Sequence, residues 1–127
     1  MDTLKYKILL VEDVQIAQTM ASLVLKSAGC EVHLATTGKE AADQATQESF
    51  DMIFMDLGLP DIDGFSTTEA IRKSEIKGRK KRVPIIALTA HEGEHVEVTC
   101  LDAKMDDFLA KPLTEEKVMQ MLHKYIK

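Results

Sequence analysis

The chain has 127 residues, enough for one domain with a real core, and its 45% hydrophobic and 29% charged composition is that of a globular protein. A net charge of −5 argues against a surface that holds nucleic acid or anionic membrane. The opening Met1-Asp-Thr-Leu-Lys-Tyr6 lacks a signal-peptide core, and no run approaches the roughly 18 apolar residues of a membrane span, so the expected location is the cytoplasm.

Ile8-Leu9-Leu10-Val11 is too short for a helix and has the branched residues of a buried strand. From Ile16 to Lys26 the apolar positions Ile16, Met20, Leu23 and Val24 recur at helical spacing, with Gly29 as a stop. Val32-His33-Leu34-Ala35 predicts a second strand, and Thr37-Gly38 opens a helix carrying Ala41, Ala42 and Ala45. Met52-Ile53-Phe54-Met55 is a third strand. The turn-rich segment Gly58 to Gly64 leads to a helix with Phe65, Thr68 and Ile71 on one side.

Ile85-Ile86-Ala87-Leu88 predicts a fourth strand, followed by a helical stretch around Val96 to Ala103. Phe108-Leu109-Ala110 is a fifth, ended by Pro112. Thr114 caps a last helix that starts with Glu115 and Glu116 and buries Val118, Met121, Leu122 and Tyr125. Strand and helix alternate, which predicts an α/β fold with a parallel sheet covered on both faces. There is no internal repeat, low-complexity tract or linker, so residues 1–127 read as one domain. Cys30 and Cys100 stand far apart in no C-x-x-C pattern and read as reduced thiols.

In such sheets ligands bind beyond the carboxyl ends of the strands. Glu12 and Asp13 follow the first strand, Asp56 the third, Thr89 the fourth and Lys111 the fifth. Any one of these acids could simply cap the next helix. Gathered in one cleft, three carboxylates would repel one another and call for a cation. Hard oxygen donors with open positions suit Mg²⁺ meeting a phosphate. Lys111 would add a fixed positive charge and Thr89 a hydroxyl, a layout for phosphoryl transfer.

The set Val11-Glu12-Asp13, Asp56-Leu-Gly-Leu-Pro60, Asp63-Gly64, Leu88-Thr89-Ala90 and Lys111-Pro112 resembles the receiver domain of two-component signalling proteins, in order and over nearly the whole chain. The resemblance implies a flavodoxin-like, doubly wound sheet of five parallel strands in order 2-1-3-4-5. It also implies that Asp56 accepts a phosphoryl group from a phosphohistidine. Asp13 and Asp56 would bind Mg²⁺ directly, Glu12 through water, and the Gly58 backbone carbonyl would complete the metal site. Thr89 and Phe108 match the family's switch pair, Lys111 would bind the phosphate, and the Lys111-Pro112 bond matches the family's cis peptide.

Implied partners are a histidine kinase, a histidine phosphotransfer protein, or both. The implied oligomeric state is a monomer or a weak phosphorylation-dependent dimer. Pro84-Ile-Ile-Ala-Leu-Thr-Ala90 and Met105-Asp-Asp-Phe-Leu-Ala-Lys-Pro112 look most like receivers fused to hybrid sensor histidine kinases. Such a module is regulatory rather than an enzyme, with self-phosphorylation and self-dephosphorylation as its only chemistry.

Three positions depart from that pattern. Val14 and Ala17 stand where asparagine is frequent. Lys104 stands where glycine is usual, so a left-handed helix end there would carry a steric penalty of roughly 1–2 kcal/mol. His91-Glu92-Gly93-Glu94-His95 fits the zinc-protease pattern H-E-x-x-H, but Gly93 interrupts it and no third ligand is assignable. An aspartyl-nucleophile phosphatase or phosphotransferase is the other alternative; its usual second carboxylate two residues on is here Gly58. The basic run from Lys77 to Arg82 reads as a solvated loop. His33 and His123 read as structural or surface residues.

Overall fold

The computed structural model describes residues 6–59, 61, 63–90 and 104–126. The elements are β1 (Tyr6–Val11), α1 (Gln15–Ser27), β2 (Cys30–Ala35), α2 (Gly38–Gln47), β3 (Met52–Asp56), α3 (Gly64–Lys77), β4 (Ile85–Thr89), β5 (Asp107–Ala110) and α4 (Glu115–Tyr125). The sequence-predicted helix around Val96 to Ala103 lies outside the described residues, as do Cys100 and the His91–His95 pattern.

All five strands are parallel, in the order β2-β1-β3-β4-β5. β3 and β4 are buried along their full length because helices cover both faces of the sheet. Alternate side chains feed two cores. Ile8, Leu10, Phe54, Ile86 and Leu88 pack with Leu25 of α1 and with Val118 and Leu122 of α4. Leu9, Val11, Ile53, Met55, Ile85 and Ala87 pack on the other face with Ala41 of α2 and Ile71 of α3.

Caps end the helices where local chemistry requires. The side chains of Thr37, Asp63 and Thr114 accept the backbone N–H groups of Glu40, Ser66 and Lys117. A second acid closes α2 from a distance: Asp61 accepts the N–H of Gly38 at 2.8 Å and of Lys39 at 3.0 Å. α3 ends in a Schellman turn, with Lys80 N–H on Glu75 O at 2.8 Å and Arg79 N–H on Ile76 O at 3.2 Å. The left-handed residue of that turn is Arg79 (φ 53°), although Gly78 immediately precedes it.

Of the four apolar positions that mark α1 in the sequence, only Val24 packs on the core. Ile16, Met20 and Leu23 face solvent, and Ala21, Val24, Leu25 and Ala28 carry the contact with the core. Both stripes are apolar at helical spacing, so periodicity alone does not say which one is inward.

At the amino end of the strands lies a buried ion network. Arg72, 3% exposed, donates to both carboxylate oxygens of Glu75 (2.9 and 3.1 Å) and to Asp106 Oδ2 (2.7 Å). It also donates to the carbonyls of Val83 (2.8 Å) and Lys104 (3.0 Å). Glu75 and Asp106 in turn accept the N–H groups of Val83 and Ile85, so the network fixes the start of β4. Asp107 accepts from Tyr125 Oη and Lys124 Nζ, each at 2.8 Å, and ties the start of β5 to α4. Lys104 adopts φ 70°, the left-handed conformation that its position foreshadowed.

Candidate functional site

The carboxyl ends of β1, β3, β4 and β5 converge, and with them the residues singled out in the sequence. Asp56 and Thr89 are the last residues of their strands, Glu12 follows β1 directly and Lys111 follows β5 directly. Carboxylate oxygens of Glu12, Asp13 and Asp56 all lie within 4.8 Å of one another. Glu12 and Asp56 are buried, at 2% and 7% exposed, and Asp13 is exposed.

These acids are not helix caps. The residue capping α1 is Val14, with no side-chain cap bond. Glu12 instead accepts the Lys111 ammonium on Oε1 at 2.9 Å and the Val14 N–H on Oε2 at 3.2 Å. Lys111 Nζ also lies 3.2 Å from Asp56 Oδ1, which accepts the N–H of Gly58 at 3.2 Å.

The electrostatics follow from this crowding. Burial raises the Glu12 carboxyl above its ordinary value; Lys111 opposes the rise, and a hydrogen bond and the charge of Asp56 add to it. Burial alone would lower the Lys111 ammonium, but its bond to Glu12 and the charges of Asp56 and Glu12 prevail and raise it. Lys111 is therefore a fixed cation offsetting a surplus of acid. The donor set is hard oxygen with an exposed member, which fits a divalent cation such as Mg²⁺ better than a thiolate-seeking or imidazole-seeking metal.

The backbone around the cluster is tightly built. Leu57 N–H bonds to Leu88 O at 3.3 Å, Lys111 N–H to Thr89 O at 2.8 Å, and Gly64 N–H to Leu57 O at 3.1 Å. Lys111-Pro112 is a cis peptide, as the sequence pattern implied. Phe108 stands in register with Ala87, on the α2–α3 face of the sheet and two residues back from Thr89.

Sequence reasoning missed two supporting residues and the reason for a third. Gln18 reaches back to the Glu12 carbonyl at 2.7 Å, and nothing in its surroundings signals that bond. Asp61 closes α2 across 23 residues. At Gly64 a β-carbon would meet the Asp56 carbonyl oxygen at 2.6 Å, and the Asp63-Gly64 pair was the available signal for that.

Residues 8–123 match the response regulator receiver domain family. The chain belongs to that family. Solved receiver domains agree with the fold: that of the sensor histidine kinase PA1611 from Pseudomonas aeruginosa, with a magnesium ion coordinated in its active site cleft, is 42% identical, with a TM-score of 0.84 over 95% of this chain and 97% of that one. The receiver domain of Ssk1 from Saccharomyces cerevisiae, solved with the histidine phosphotransfer protein Ypd1, is 28% identical, with a TM-score of 0.85 over 97% of this chain and 90% of that one.

Among curated proteins the receiver domain is 38% identical over 94% of its length to hybrid signal transduction histidine kinase L of Dictyostelium discoideum. It is 34% identical over 94% of its length to the sensor protein GacS of Pseudomonas syringae. The chain spans 7% and 13% of the length of those two relatives. Among the described residues, no helix is long and apolar enough to cross a membrane.

Proposed function

We propose that this receiver domain is a phosphoryl-accepting switch in a two-component phosphorelay, with Asp56 as the acceptor. The observation that carries the reading is a buried carboxylate at the end of β3, 3.2 Å from a lysine ammonium and grouped with two further acids. A carboxylate oxygen of Asp56 attacks the phosphorus of a phosphohistidine. The new O–P bond forms as the P–N bond breaks, and the imidazole keeps the bonding pair and takes a proton from solvent. Lys111 holds charge on the transferring oxygens, and the Thr89 hydroxyl donates to one of them. Phe108 then follows Thr89 and reports the new state on the β5 side of the sheet.

Glu12, Asp13, Asp56 and the Gly58 carbonyl would hold Mg²⁺, which when bound supplies charge neutralisation for both the acids and the phosphoryl oxygens. Gly58 stands where an aspartyl phosphatase carries its second carboxylate, so the chain offers no acid/base group there for sustained ester turnover.

The partner is a histidine kinase or a histidine phosphotransfer protein. α1 begins two residues after Asp13 and presents Ile16, Met20 and Leu23 to solvent, a stripe beside the cleft that suits the apolar face of a partner helix. The curated relatives favour a place within a hybrid histidine kinase; a cytoplasmic location and a monomeric or weakly dimeric, phosphorylation-dependent state complete the reading.

Intact mass after incubation with Mg²⁺ and acetyl phosphate tests the acceptor. Wild type should gain one alkali-labile phosphate and Asp56→Asn none. A phosphate on the variant, or none on wild type even from a phosphorylated histidine protein, would overturn the reading. Mg²⁺ should also raise the melting temperature of wild type, while Asp13→Asn should stabilise the metal-free domain and remove that response.

A further inference from the structure

Among the described residues, two that are not glycine adopt left-handed backbone, Arg79 (φ 53°) and Lys104 (φ 70°). They stand 25 residues apart in sequence. Both nevertheless line one open groove of about 700 Å³ between the end of α3 and the turn before β5.

The backbone accounts for these conformations but not for the residue types. Arg79 makes the Schellman turn, and the Lys104 carbonyl accepts from Arg72 Nε at 3.0 Å and Arg82 Nη2 at 3.1 Å. Glycine would make each of these bonds without the steric penalty of a side chain. What arginine and lysine add is a cationic side chain, and among the described residues neither side chain has a partner. Their neighbours differ: Lys80 is bound to the Thr46 carbonyl and Arg82 to Asp106.

Ile76 lines the same groove and is 75% exposed, more than any other large hydrophobic residue among those described. Strained backbone, idle charge and exposed apolar surface coincide here, at the end of the strands opposite the carboxylate cluster. Strain retained against a cheaper residue points to use.

We propose that this groove docks an acidic segment of a partner protein, one apolar side chain lying on Ile76 and flanking carboxylates on Arg79 and Lys104. Charge complementarity selects the occupant. The chain as a whole carries −5, so an extended polyanion or an anionic bilayer meets repulsion beyond the groove, whereas a short segment meets only the local cations. Ile76 adds an apolar contact that a polyphosphate has no use for. The groove lies away from Asp56, so docking leaves the acceptor cleft open and would recruit a partner to either phosphorylation state.

The test uses the whole chain and a fluorescent 12-residue peptide of Asp and Glu with a central Leu, read by anisotropy at low salt. Arg79→Gly and Lys104→Gly should each raise the melting temperature and each weaken binding about fivefold, the upper end for an exposed ion pair. Ile76→Ser should weaken the Leu peptide and leave a central-Ser peptide unchanged. Equal binding by the glycine variants, no binding by wild type at millimolar peptide, or stronger binding to polyphosphate, oligonucleotide or phosphatidylserine vesicles would each overturn the proposal. Because both glycine variants remove strain, loss of binding in them cannot come from unfolding.

Discussion

A β-carbon on Gly64 would lie 2.6 Å from the backbone carbonyl oxygen of Asp56, and 3.0 Å from the Cα of Leu57. Both contacts are with backbone, so neither can yield by a rotamer change. The start of α3 therefore presses directly on the peptide that carries the candidate acceptor. Gly64→Ala is expected to destabilise the domain by about 1–3 kcal/mol, the usual cost of overpacking. It should also slow phosphorylation by acetyl phosphate. Urea denaturation and intact mass on one preparation check both; an unchanged midpoint would mean that α3 slides away freely.

Asp61 holds the loop between β3 and α3 against the first two amides of α2. Asp61→Ala should cost about 1 kcal/mol, the value of a lost N-terminal cap, and Asp61→Asn distinctly less because it keeps one acceptor oxygen. Faster hydrogen exchange at the Gly38 and Lys39 amides in the alanine variant is the local signature.

Arg72 leaves Glu75 and Asp106 buried without their cation when it is removed. Arg72→Met is expected to lose about 3–5 kcal/mol, as breaking one side of a buried ion network does. Arg72→Lys should recover only part of that, since one ammonium cannot reach two carboxylates and two carbonyls in the fork geometry of guanidinium. Chemical denaturation of the three proteins settles the order.

Two carboxyls give the stability opposite dependences on pH. Glu12 is raised, chiefly by burial, so the folded state binds its proton more tightly than the unfolded chain. Its contribution is present in acid and lost as pH rises through the folded value. Asp107 is lowered: burial works against this, but Lys124, the Phe108 amide and Tyr125 together prevail. Its contribution is present above the ordinary aspartate value and lost as pH falls through the folded one. In metal-free protein, Glu12→Gln should flatten the decline in stability from mildly acidic to neutral pH. Asp107→Asn should be destabilised at neutral pH and converge with wild type in strong acid.

The strands were legible because each is a short run of branched or large apolar residues, and parallel burial makes such runs continuous. The cleft was legible because its acids, threonine and lysine each follow a strand. The helix α1 was legible but its inward face was not, because Ile16, Met20 and Leu23 form as good a stripe as the Ala21, Val24, Leu25 and Ala28 stripe that packs inward. Arg72 was invisible for a different reason: its neighbours Lys73, Ser74 and Glu75 read as a solvated helix surface, and only tertiary partners make its burial possible. The basic run before β4 reads as a solvated loop and is exposed, and Lys80 and Arg82 are also engaged within the chain. Lys104 was the reverse case, a single residue whose mismatch with the family pattern foretold a backbone angle.

Among the described residues, three carboxylates face one ammonium in the cleft, which leaves a formal charge of −2. That balance matches the valence of one alkaline-earth ion. A monovalent ion would leave residual repulsion, and a trivalent lanthanide would overshoot and press against Lys111. A cleft balanced in this way would favour a divalent ion, and between ions of equal valence size and hydration would decide. Lys111 holds that balance: its replacement by a neutral residue would move it to −3.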